Sequence, residues 1–143
     1  GYHHQEPFSK SSILQENNIL SFSKKVMGEY DVRPSSPNLI TSNFSGGNQQ
    51  KIILTRELNK NPKVLLVGQP TRGVDIGAIE FIHQRLIDMR DKGAAILLVS
   101  VELEEVLSLS DRIVVMFDGK IVGEKVNKNV TDRELGLLMA GVV

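Results

Sequence analysis

The chain has 143 residues, 41% hydrophobic and 24% charged, the make-up of an ordinary globular domain able to bury one packed core. Its 17 Lys and Arg offset 17 Asp and Glu, leaving no basic surplus for a phosphate backbone or an anionic membrane surface, which argues against a dedicated nucleic-acid binder. Cysteine is absent, excluding disulfides and thiolate chemistry, and no apolar run nears the roughly 18 residues of a bilayer span.

In chain order, Ile19, Phe22, Val26 and Tyr30 fall three or four apart and predict a helix that ends before Pro34. A Ser-, Pro- and Asn-rich connector from Val32 to Asn43 leads to Ser45, an expected N-cap, and a helix from Gly46 to about Asn59. The apolar runs within 63–67 and 94–99 read as parallel strands covered on both faces. Between them Ile76, Ile79, Ile82, Leu86 and Met89 stripe a helix closed by Lys92 and Gly93, which makes a βαβ unit.

A short helix is expected at about 102–109. Strands at 112–117 and 120–124 flank Asp118-Gly119, a hairpin turn signal. Thr131 and Glu134 have capping-box spacing and open a last helix through Met139. No signal peptide is read at the start. His3 and His4 are chain neighbours and cannot share a ligand from one helix, and His83 has only Glu80 at useful spacing, so all three are expected as solvated side chains rather than metal ligands.

The most specific string is Phe44-Ser45-Gly46-Gly47-Asn48-Gln49-Gln50-Lys51. It is a helix start with two glycines in its first turn, where unpaired N–H groups and the helix dipole favour an anion and no side chain blocks the approach. The plain alternative is a Ser N-cap followed by loop glycines. No G-x-x-x-x-G-K-S/T string occurs, so nothing here wraps phosphates around a lysine.

Together, FSGGNQQK, an apolar strand, QPTRGVDIGA, a second strand, the segment Ser100-Val101-Glu102-Leu103-Glu104-Glu105 and the ending ELGLLMAG resemble the ATP-binding-cassette (ABC) ATPases. They look most like the second ATPase half of the two-half proteins that energise uptake of simple sugars and nucleosides, and YHHQEPFSK resembles the interior of that family's helical subdomain. The resemblance covers almost the whole chain. It implies an α/β fold: a partial cassette, mostly parallel sheet flanked by helices, with a hairpin near the C-terminus. Residues 1–60 would be a remnant of the helical subdomain with the signature helix, and 61–143 the C-terminal part of the RecA-like core, so that the chain begins partway through a cassette.

The resemblance also implies roles. Ser45, Gly46, Gly47, Asn48 and Gln49 form the signature loop, facing ATP held by the partner half, and Gly73 and Asp75 belong to the D-loop; Asp75 has a second reading as a helix N-cap. The family's Mg²⁺-orienting Asp and water-placing Glu fall at Gly68 and Gln69, and its switch His at Val101. Glycine offers no carboxylate, and glutamine cannot accept a proton near neutral pH. No catalytic residue is therefore expected in this segment, nor ATP or Mg²⁺ held tightly by it, although both act in the full assembly.

The implied partners are the other ATPase half on the same polypeptide, membrane permease subunits and, indirectly, a solute-binding protein. The implied place is the cytoplasmic face of the cell membrane. Two alternatives stand beside this: a non-catalytic ABC-type dimerisation or regulatory module, and a soluble ABC protein not involved in transport.

Overall fold

The structure, a computed structural model, describes residues 6–142. His3 and His4 lie outside the described residues. Contacts divide the chain into two compact units: residues up to Asn61 with Gly73–Ile79, and Pro62–Arg72 with the residues from Glu80 on.

In the first unit, β1 (Ser9–Lys10) and β2 (Ile13–Leu14) form a small antiparallel hairpin that the sequence pattern did not announce. Its two turn residues, Ser11 and Ser12, both take positive φ, the backbone of a two-residue hairpin loop without the usual Asn-Gly signal. Phe8 packs edge-on against Phe22, ring centroids 4.9 Å apart. Helix α1 (Glu16–Glu29) buries Val26, while Ile19, Phe22 and Tyr30 are half-buried on the same stripe. A 3-10 turn at Thr41–Asn43 then leads into α2 (Gly46–Leu58), which buries Leu54 and Leu58 one turn apart. The Nζ of Lys51 reaches back to the carbonyl of Asp31 at 3.1 Å and tethers the end of α1 to α2.

In the second unit, β3 (Val64–Gly68) and β4 (Ala95–Val99) pair in parallel, from Val64 opposite Ala95 to Gly68 opposite Val99. Helix α3 (Ile76–Asp91) joins them; its first turn, to Ile79, falls in the first unit, where Ala78 is buried and Ile76 is 77% exposed, and from Glu80 on it buries Ile82, Leu86 and Met89. The expectation that both sheet faces are covered is overturned. Leu65 and Val67 are buried, but Val64 and Leu66 on the opposite face are 65% and 74% exposed, and Leu97 and Val99 are each 59% exposed. Alternate residues of a strand point to opposite faces, so one face has a cover and the other has none among the described residues.

Helix α4 (Leu103–Leu109) leads to β5 (Arg112–Phe117) and β6 (Lys120–Val126), an antiparallel hairpin closed at Asp118 and Gly119, both with positive φ. Asn127 donates from Nδ2 to the carbonyls of Leu107 at 2.6 Å and Ser110 at 2.7 Å, satisfying the end of α4. Helix α5 (Asp132–Met139) opens with the Thr131–Glu134 capping box formed in both directions. Ile113, Val115 and Leu135 make the buried centre of this region, with Leu103, Val106 and Leu138 packed around it.

Candidate functional site

The start of α2 is built from its own sequence. Ser45 keeps an extended backbone and its hydroxyl accepts from Nδ2 of Asn48 at 2.9 Å and, at a long 3.5 Å, from the Asn48 N–H. Oδ1 of Asn48 in turn accepts the Arg33 N–H at 2.7 Å, and Nε2 of Gln49 donates to the Phe44 carbonyl at 2.8 Å. The side chains of Asn48 and Gln49 thus brace the loops that precede the helix. Ser45 and Gly46 remain exposed. Helix geometry leaves the N–H groups of Gly46 and Gly47 without an acceptor inside the helix.

The two glycines differ. Gly47 is buried: a β-carbon there would lie 2.9 Å from Oδ2 of Asp75 and 3.2 Å from the β-carbon of Ala78. Gly46 has more room, with the Gly73 carbonyl 3.3 Å from such an atom. Asp75 is the N-cap of α3, its Oδ1 accepting the Ala78 N–H at 2.8 Å. The first unit therefore brings the Ser45–Gln49 loop and the Gly73–Asp75 segment together.

The second unit holds Gly68, Gln69 and Val101. Gly68 ends β3, and Gln69 follows in the left-handed region at φ +49°. The Gln69 N–H donates to the Val99 carbonyl at 2.8 Å and its carbonyl accepts the Arg72 N–H at 3.2 Å, so the backbone turns sharply between Gln69 and Arg72. Val101 is 61% exposed beyond β4.

Sequence reasoning gave Glu105 no role of its own; it is 3% exposed on α4. Its Oε1 accepts the Thr71 hydroxyl at 2.8 Å and lies 3.1 Å from Nε2 of His83. The expectation of a solvated His83 is corrected accordingly: its side chain is 21% exposed and partnered by a carboxylate 22 residues away, a separation that local spacing does not reveal. The one local hint was position, since Glu105 falls between Leu103 and Val106, which pack on the hairpin core.

The α/β fold, with a parallel βαβ unit and a hairpin near the C-terminus, is that of a partial ATP-binding cassette, and the chain belongs to the ABC ATPases. It is 49% identical over 139 residues to the nucleoside import ATP-binding protein NupA of Lactococcus lactis subsp. cremoris, covering 97% of this chain and 28% of that protein. It is 46% identical over 139 residues to the guanosine import ATP-binding protein NupO of Bacillus subtilis, covering 97% of this chain and 27% of that protein. To the ribose import ATP-binding protein RbsA of Streptococcus agalactiae it is 38% identical over 134 residues, with 94% of this chain and 27% of that protein covered.

The chain thus spans little more than a quarter of the length of these curated relatives. No family model matches it. Among solved structures, the ATP-binding cassette MJ0796 in its dimeric post-hydrolysis state with ADP and Pi aligns with TM-score 0.68 and 22% identity, over 85% of this chain and 52% of that one. MJ1267, an ATP-binding cassette of an ABC transporter, aligns with TM-score 0.67 and 24% identity, over 93% of this chain and 51% of that one. These likenesses establish the fold.

Proposed function

We propose that this chain is the C-terminal segment of the ATP-binding subunit of an importer for a simple sugar or a nucleoside, and that it acts as activator rather than catalyst. The start of α2 would cap the terminal phosphate of ATP held by the other ATPase half of the same polypeptide. Residues 1–60 then act as the helical-subdomain remnant and signature helix, and 61–143 as part of the ATPase core. The uncovered β3–β4 face is the natural seat for the rest of that core.

The observation that carries this reading is the contrast between the two sets of positions. Ser45 and Gly46 stand exposed at a helix start that favours an anion, while Gly68 and Gln69 offer no carboxylate for Mg²⁺ or for a water. The residues at β3 therefore do not fit a resident Mg²⁺. Loss of a general base alone removes ~10²–10⁴-fold in rate. Energised import would then depend on ATP and Mg²⁺ at the partner half, on permease subunits at the cytoplasmic membrane face and, indirectly, on a solute-binding protein; among the described residues no helix is long and apolar enough to cross a membrane itself.

The isolated chain should show no ATP turnover. Turnover by the purified chain that is abolished by a change at Gln69 would overturn the proposal.

A further inference from the structure

Burying a carboxylate is costly unless its oxygens find partners. Glu105, 3% exposed, satisfies that condition with only one oxygen: Oε1 takes both Thr71 and His83, while Oε2 is buried without a hydrogen-bond partner. A single oxygen atom therefore ties together three segments of the second unit, namely the turn after β3, α3 and α4.

The turn is the segment in need of an anchor. Gln69 holds a positive φ that is unfavourable for a residue with a β-carbon and persists only where surroundings enforce it. Its backbone hydrogen bonds to Val99 and Arg72 fix two points. Pro70 is fully buried, and Thr71, 8% exposed, sends its hydroxyl to Glu105. The hydroxyl of Thr71 is thus the turn's side-chain link to a helix.

We propose that Glu105 is the positioning residue of the Gln69–Arg72 turn, its Oε1 holding the turn against α3 and α4 through Thr71 and His83. Helix α4 then has two duties. Leu103 and Val106 pack it on the β5–β6 hairpin, and Glu105 passes that fixed position to the turn. Under the proposed function this turn carries the position of the missing catalytic glutamate, so the clasp would also set the geometry of that loop. That consequence rests on the nucleotide reading; the clasp itself does not.

Amide hydrogen exchange and imidazole ¹⁵N spectra of the full chain, recorded without nucleotide so that the result is independent of the nucleotide reading, provide the test. Thr71→Val keeps the side-chain shape and removes the hydroxyl. It should accelerate exchange at the Gln69 and Arg72 amides by roughly tenfold or more, the scale of a lost hydrogen bond to a buried carboxylate, and leave the β5–β6 amides unchanged. Thr71→Ser, which retains the hydroxyl, should restore wild-type exchange. In wild type the His83 ring should show one Nε2–H tautomer, and in Glu105→Ala that signature should be lost. Wild-type exchange at Gln69 and Arg72 in Thr71→Val, or an equal acceleration at every amide of the unit, would overturn the proposal. So would a His83 ring indifferent to Glu105→Ala in a chain that still folds.

Discussion

The backbone of Gly47 is packed against the side chain of Asp75, with 2.9 Å between Asp75 Oδ2 and the place a β-carbon would occupy. Asp75 cannot easily swing away, because its other oxygen caps α3 at Ala78. Gly47→Ala should therefore destabilise the first unit by about 1–3 kcal/mol, the usual cost of overpacking. Asp75→Ser shortens the intruding side chain while keeping a capping oxygen, so the double variant should lose less than the sum of the two single changes; the Ala78 contact keeps the rescue partial. Urea midpoints of the two singles and the double measure this coupling, and strict additivity would contradict it.

The capping box of α5 makes a prediction about pH. The backbone and hydroxyl of Thr131 hold the Glu134 carboxyl below its ordinary value of 4.5. A lowered folded-state value contributes stability that is complete above the unfolded value and is lost as the pH falls through the lowered one. Glu134→Gln keeps a capping oxygen and removes the charge. The stability gap between wild type and this variant should be widest at neutral pH and should close in acid as the pH falls below 4.5. Thermal melts across that range check it, and a gap that widens on acidification would have the wrong sign.

Much of the fold was legible because the decisive signals are local. Ser45, Asp118-Gly119 and the Thr131–Glu134 pair each act within a few residues, and the structure forms the cap, the tight turn and the capping box there. The strand pair 64–67 and 94–99 was legible as apolar runs, but its coverage was not. A run such as Val64 to Val67 reads as buried on both faces, but among the described residues only the Leu65 and Val67 side is covered. The β1–β2 hairpin was invisible because Ser11 and Ser12 adopt positive φ without a glycine.

At the candidate site, the sequence located the Ser45-capped helix start but not the direction its groups face. That Gly47 looks toward Asp75, and that Asn48 and Gln49 spend their side chains on Arg33 and Phe44, are tertiary facts. The Thr71–Glu105–His83 cluster joins residues up to 34 positions apart and has no spacing to read.

Under the proposed function, placing a single carboxylate at the end of β3 should not create a catalytic centre. Gln69→Glu supplies the shape and charge of a general base, yet Gly68 still lacks a carboxylate and Val101 still lacks a polar head, and groups that act as a unit are not additive. Steady-state ATP turnover of the complete protein should stay within about twofold of wild type, since base catalysis yields its ~10²–10⁴-fold only in an assembled site. A gain of tenfold or more would show that this half retains a latent hydrolytic site.

Ser45 offers the most direct test of the activator reading, because aspartate and asparagine both serve as N-caps as well as serine does. Ser45→Asp should leave α2 as stable as before or slightly more so, since a negative charge suits a helix start. It should also repel the phosphate that the same helix start is proposed to bind. Ser45→Asn, without the charge, separates that repulsion from simple bulk. The measurement is steady-state ATP hydrolysis by the complete protein carrying each change, alongside its thermal stability. The account predicts that Ser45→Asp abolishes turnover with the melting temperature intact, while Ser45→Asn retains measurable hydrolysis. Wild-type turnover in Ser45→Asp would contradict it, because no phosphate could then be capped at this helix.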